Sequence, residues 1–218
     1  MKESNYKKLV YNTAIFAIGN FGSKVLTFLI VPLYTYVLTT AEYGVIDLFI
    51  TSLGMVIPFS TMMVNEALIR YVLGKELTPK KAASNCFAVF LFGAAISVLF
   101  TPLYKVAFDF DEYIWIFVAL LVLRTFNQVF SEYFRAVNQN VKFTIFGLIT
   151  TATILGFNVV FLLFLKLGIR GYLYATLLSA AVGTLYILIF SDFFQVVSLK
   201  CIDKNTIRML LKYSVPLI

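Results

Sequence analysis

The chain has 218 residues, of which 61% are hydrophobic and 13% charged, and its mean hydropathy is +0.90. Soluble domains run at roughly 45–50% apolar and about 25% charged, so this composition excludes an ordinary water-soluble domain and calls for lipid as solvent. The net charge of +7 does not mark a nucleic-acid binder, because the basic residues punctuate the ends of apolar runs instead of clustering on one polar face.

The absence of His removes the commonest metal ligand and general base. The two cysteines, Cys86 and Cys201, stand far apart and read as free thiols. No metal and no cofactor is expected.

A short polar segment over 1–10 precedes the first apolar run, 11–38. That run is too long for a cleaved signal peptide, holds Lys24 and Pro32, and lacks a small-residue cleavage site. A spanning helix needs about 20 mostly apolar residues. Six stretches qualify: 11–38, 43–73, 82–106, 113–137, 143–165 and 171–194. They make the expected fold an all-α polytopic membrane protein, with a six-helix lobe over 11–194.

In the first helix Asn20, Lys24 and Thr27 share a face, with Lys24 close to the bilayer centre. A charge at that depth costs roughly 2.5–3.5 kcal/mol and needs an acid, a carbonyl or water beside it. Pro32 removes a backbone hydrogen bond and bends the helix. In the second, Asp47, Thr51, Gly54, Pro58, Thr61 and Asn65 form one stripe. Asp47 fits a gate or cation site as well as a plain interfacial carboxylate. Glu66 and Arg70 are spaced to pair.

The fourth helix carries Arg124, Gln128, Ser131 or Glu132, and Arg135 at three- and four-residue steps, which is one helical face. Arg124 falls near mid-span and reads as a cavity residue. Arg135 reads either as part of that cavity or as a side chain snorkelling to the interface. Asn158 in the fifth helix reads as an interhelical hydrogen-bonding amide. In the sixth, Tyr172, Thr176, Ser179, Gly183 and Tyr186 form a small and polar seam of the kind that lets helices pack closely.

Basic residues set the orientation. Of the 18 Lys and Arg, 13 fall on the side of the N-terminus and 3 on the other, with Lys24 and Arg124 inside the span. The positive-inside rule then places the N-terminus in the cytoplasm. The segment 195–212, with Lys200, Lys204, Arg208 and Lys212, reads as a cytoplasmic connector lying partly on the membrane surface. Residues 213–218 look like the opening of a seventh helix, so the chain reads as the front portion of a longer protein. Many transporters are built from two repeated halves.

The intramembrane residues suggest a cationic interior suited to a phosphate or pyrophosphate, because Arg offers a planar fork of donors and Lys a movable charge. The candidate substrate-binding residues are Lys24, Arg124, Gln128, Arg135 and Asn20. Asp47, Glu132 and Asn65 are candidates for a gate or ion coupling. No nucleophile elbow, phosphate-cradling glycine loop or paired loop carboxylates point to an enzyme.

Several segments resemble the bacterial polysaccharide flippases, the O-antigen and capsule exporters of the multidrug/oligosaccharidyl-lipid/polysaccharide superfamily. The matching residues are KKLVYNTAIFAIGNFGSKVLTFLIVPLYTYVLTTAEYGVIDLF over 7–49, ALIRY over 67–71, FRAVNQNVKF over 134–143, and the closing LLKYSVPLI. PLYTYVLTTAEYG is the most specific piece. The resemblance implies one six-helix lobe of a MATE-like two-lobe transporter in the bacterial inner membrane. It implies movement of undecaprenyl-pyrophosphate-linked oligosaccharide between leaflets by alternating access, alongside a polysaccharide polymerase and glycosyltransferases. A cation-coupled multidrug exporter of the same superfamily and a non-transporting scaffold for polysaccharide assembly enzymes are the competing readings.

Overall fold

The computed structural model describes residues 21, 24, 25, 28, 31–108 and 111–218. Among them there are helices and turns and no strand. Helix α1 is the first helix, whose described portion ends at residue 37. Five later helices are long and apolar enough to cross a membrane: α2 (Thr40–Thr61), α4 (Pro79–Leu99), α6 (Ile114–Ala136), α7 (Asn140–Asn158, continued as a wider π turn, Val159–Phe164) and α8 (Gly168–Phe190).

Helix starts follow local chemistry. Thr39 and Glu42 form a reciprocal capping box on α2: the Glu42 N–H donates to Thr39 Oγ1 at 3.3 Å, and Glu42 Oε2 accepts from the Thr39 N–H at 2.9 Å. The Thr78 hydroxyl accepts from the Lys81 N–H, and Pro79 occupies the first turn of α4, where a missing N–H costs nothing.

Two expected helices are each broken. The stretch 43–73 divides into α2 and α3 (Val64–Leu73), because Met62 and Met63 both take left-handed backbone angles, φ 49° and 51°. The Thr61 side chain steadies the corner, accepting from the Met63 N–H and donating to the Pro58 carbonyl. The stretch 82–106 divides at Phe100 into α4 and α5 (Thr101–Phe108). Pro102 has no N–H to continue the hydrogen-bond ladder of α4. Past α8 come two short turns, α9 (Phe193–Val196) and a 3-10 turn (Leu199–Cys201), and then α10 (Lys204–Ser214), which runs across the expected start of a seventh helix at 213.

The buried side chains form two clusters. One joins α3, α4, α6, α8, α9 and α10 around Phe90, Phe126, Phe130, Phe193 and Leu210. The other joins α2, α6 and α8 around Phe49, Leu53, Phe117, Leu120 and Leu173. Phe126, Phe130 and Phe193 meet with ring centroids 4.7–5.5 Å apart, within the range of favourable aromatic pairs. Met55, Phe59, Trp115 and Phe164 are among many large apolar side chains left exposed on the outside, as a lipid-facing wall requires.

Close backbone approach depends on small residues. At Gly93 of α4 an added Cβ would lie 1.9 Å from the Ser60 carbonyl oxygen of α2, and the Ser60 and Ser97 hydroxyls hydrogen-bond beside it at 2.8 Å. At Gly183 of α8 an added Cβ would lie 2.8 Å from Thr150 of α7. This is the close packing that the small and polar seam of the sixth helix led one to expect. Asn158 departs from its expected role. Its amide donates to the Ile154 carbonyl of its own helix at 2.7 Å, and its Oδ1 is buried with no partner among the described residues.

The two ends of the bundle carry separate ion pairs. At one end Lys105 meets Asp111 at 3.2 Å and Arg170 meets Glu112. The hydrogen bond from Arg170, and then that from Tyr113, holds the Glu112 carboxyl below the usual carboxylate range. At the other end Lys81 meets Asp203 at 3.3 Å, and the Lys142 ammonium donates to the Phe190 carbonyl at 2.8 Å.

Candidate functional site

A cavity of about 380 Å³ opens where α1, α2, α6, α7 and α8 converge. Helix α6 supplies Arg124 and Asn127, α7 supplies Phe146, Thr150, Thr151 and Ile154, and α8 supplies Tyr172, Thr176, Ser179 and Ala180. Val31 and Tyr34 of α1 and Tyr43 of α2 complete the wall.

Among the described lining residues Arg124 is the one charged side chain. It is half-buried, and among the described residues no carboxylate pairs with it. A guanidinium at mid-helix with no described acid beside it can turn its donors to whatever enters the space beside it. The hydroxyls around it are already oriented. Ser179 donates to the Thr150 carbonyl at 2.7 Å, Thr151 to Gly147 at 2.8 Å and Thr176 to Tyr172 at 2.9 Å, so their oxygens keep lone pairs and little spare donor capacity. Asn127 is committed to structure: its amide donates to the Ala180 carbonyl at 2.9 Å and its oxygen accepts from Thr184 at 3.0 Å. Tyr34 and Tyr172 meet edge to face at 5.1 Å and tie α1 to α8 at the rim.

The other candidate residues lie in varied settings. Lys24 is exposed on α1, seven residues before the cavity-lining Val31, which is the spacing of two helical turns; it does not itself line the cavity. Asn20 lies outside the described residues. Gln128, four residues after Arg124, is half-buried and outside the lining, where Asn127 stands instead. Arg135 pairs with Glu132 at 2.7 Å and sits over the Phe143 ring at 5.4 Å. Asp47 is exposed on α2, one turn after the cavity-lining Tyr43. Asn65 is buried in α3, where its amide donates to Glu66 at 3.0 Å.

The expected Glu66–Arg70 pair does not form. The Arg70 guanidinium lies 4.5 Å from the Tyr213 ring centroid on α10, where a cation–π contact replaces the helical ion pair.

Tyr34, Tyr43, Thr150 and Thr151 enter the site without having been singled out in the sequence. A usable signal existed for the two threonines, because Thr144, Gly147, Thr150, Thr151 and Ile154 fall on one stripe of an otherwise apolar helix. The two tyrosines join by tertiary placement alone.

The fold has close counterparts among solved transporters. One is an outward-facing conformation of a multidrug resistance MATE family transporter of the MOP superfamily, with a TM-score of 0.66 and 15% identity over 94% of this chain and 49% of that one. A second is a MATE structure in complex with Br-NRF, with a TM-score of 0.66 and 19% identity over 96% of this chain and 54% of that one. A third is MATE in the straight conformation, with a TM-score of 0.64 and 17% identity over 94% and 49%. The chain thus spans about half the length of these structures and has the fold of a MATE-like lobe. No curated protein matches the sequence significantly. The sequence profile of one family, described as polysaccharide biosynthesis protein, aligns with residues 9–218, and the chain belongs to that family.

Proposed function

We propose that this lobe serves in moving an undecaprenyl-pyrophosphate-linked oligosaccharide across the bacterial cytoplasmic membrane by alternating access, with the N-terminus cytoplasmic. Family and fold point to transport and not to catalysis. The observation that carries the substrate class is Arg124, an arginine without an acidic partner among the described residues, facing a cavity lined by tyrosine, threonine and serine hydroxyls. Such a wall suits a pyrophosphate with sugars attached: the guanidinium forks onto phosphate oxygens, while the hydroxyls and tyrosine rings meet sugar hydroxyls and ring faces. Lys24, two turns from Val31, adds a second positive charge on the approach. Lipid-linked polysaccharide intermediates are the partners that family membership suggests, with a polymerase and glycosyltransferases as further proposed partners.

A cation-coupled drug exporter would call for a carboxylate in the cavity to hold a cationic drug or proton. Among the described lining residues there is none, and Asp47 stands one turn outside it. This favours the anionic substrate.

The test is complementation of a strain that lacks surface polysaccharide, using the full-length protein. Arg124→Ala and Lys24→Ala should each lose surface polysaccharide at unchanged membrane levels, and Arg124→Lys should keep part of the function because the charge remains without the fork. Wild-type polysaccharide from both alanine variants would overturn the anion site.

A further inference from the structure

We propose that α10 and the groove beside it form a binding site for an anionic phospholipid of the adjacent membrane leaflet, separate from the cavity around Arg124.

Helix α10 is sharply two-sided. Thr206, Leu210 and Ser214 recur every four residues and are buried against the bundle, while Lys204, Arg208 and Lys212 recur at the same interval on the exposed side. No Asp or Glu occurs within the helix. Asp203, just before it, is taken by Lys81 at 3.3 Å. Among the described residues none of the three cations on α10 has an ion-pair partner.

Two adjoining concavities meet on this helix. Lys204, Asn205, Arg208 and Lys212, together with Ile207 and Leu211, line a basic one of about 420 Å³. Ile207 and Leu211 also line the second, of about 340 Å³, whose other walls are Met62, Ala88, Val89 and Phe92. Among the described residues its lining carries no polar side chain. The break at Met62–Met63 contributes to this groove, because it turns α3 away from the line of α2.

An apolar groove that shares Ile207 and Leu211 with a surface bearing three cations offers the two chemistries of a phospholipid side by side. Acyl chains fit against Ala88, Phe92, Ile207 and Leu211, and the phosphate lies over Lys204, Arg208 and Lys212. A soluble anion would use the basic half alone and leave the apolar half idle. A neutral lipid would use the apolar half alone. Juxtamembrane Lys and Arg residues favour anionic headgroups, and a helix with one apolar and one basic face lies in the interface plane where those headgroups are.

The test is native mass spectrometry of the full-length protein, released from detergent that contains equal amounts of phosphatidylglycerol and phosphatidylcholine with the same chains. Wild type should retain phosphatidylglycerol preferentially. Lys204→Gln, Arg208→Gln and Lys212→Gln combined should reduce that preference by at least about tenfold, since each basic residue near the surface contributes to anionic-lipid attraction. Ala88→Phe, which fills the groove, should lower retention of both lipids. If that variant unfolds, Phe92→Asp at an exposed position asks the same question by placing an acid in the groove. Glycerol phosphate in excess should not displace the lipid. Unchanged preference in the triple variant, unchanged retention in a folded groove variant, or displacement by glycerol phosphate would each overturn the proposal. None of these readouts involves transport, so they stand apart from the fate of the Arg124 site.

Discussion

Arg135 donates to Glu132 across 2.7 Å, one turn apart on α6, and this divides the two arginines of that helix into different electrostatic settings. Arg135 has its counter-charge within reach and a partly exposed side chain, whereas Arg124, three turns earlier, has no carboxylate partner among the described residues. With the Arg135 side chain 42% exposed, the pair is partly screened. A double-mutant cycle on Glu132→Gln and Arg135→Gln, read as thermal unfolding in detergent, should give a coupling of about 0.5–1 kcal/mol. A coupling indistinguishable from zero would show that the pair is positional only.

The contact between Gly93 and the Ser60 carbonyl makes a sharper demand. A methyl group at position 93 would sit 1.9 Å from a backbone oxygen, which no rotamer change can relieve. Gly93→Ala should destabilise the protein by about 1–3 kcal/mol or more, seen as a lower unfolding midpoint. Trimming the Ser60 side chain to Gly in the same chain should not rescue it, because the offending atom belongs to the main chain. Rescue by that second substitution would show that α2 and α4 slide past one another more easily than their packing implies.

Much of this architecture could be read from the chain before any coordinates. Hydropathy located the spans, and the three- and four-residue spacing of Arg124, Gln128 and Arg135 identified α6 as the helix with charge inside. The breaks were harder to see. Met62 and Met63 are good helix formers, so local propensity gives no sign of two left-handed methionines in succession. Arg70 shows the same limit. Spacing alone pairs it with Glu66, yet the ring it meets, Tyr213, belongs to a helix far along the chain. The cavity was legible only in part, since Arg124 could be singled out from α6 alone but Tyr34 and Tyr43 join it from two other helices.

Asn127 binds α6 to α8 from the edge of the cavity. It reaches the Ala180 carbonyl and the Thr184 hydroxyl at 2.9 and 3.0 Å. Asn127→Leu keeps the volume and removes both bonds. The Thr184 hydroxyl also donates to the Ala180 carbonyl, so that oxygen is not orphaned. The expected loss is therefore about 1 kcal/mol, near the net value of a single hydrogen bond, and it should appear in the unfolding midpoint. A loss of several kcal/mol would mean that the amide holds the cavity open as well as bridging the helices.

Asp203 gives helix α10 a dependence on acidity. Its carboxylate accepts from the Thr206 hydroxyl at 2.8 Å and from the N–H groups of Thr206 and Asn205 at 3.3 and 3.2 Å, with Lys81 alongside. The Thr206 bond first, then the Asn205 N–H, and then Lys81 hold this carboxyl below its ordinary range. The folded value thus lies under the unfolded value of about 4. The stabilisation is fully present above that unfolded value and is lost as pH falls through the depressed folded one. Amide exchange along α10, corrected for intrinsic rates, should show constant protection from neutral pH down to about 5 and falling protection below about 4. Asp203→Asn retains a capping side chain and removes the titration, so its protection should be flat across the same window. Loss of protection above pH 5 in the wild-type protein would point to another group as the acid-sensitive clasp on α10.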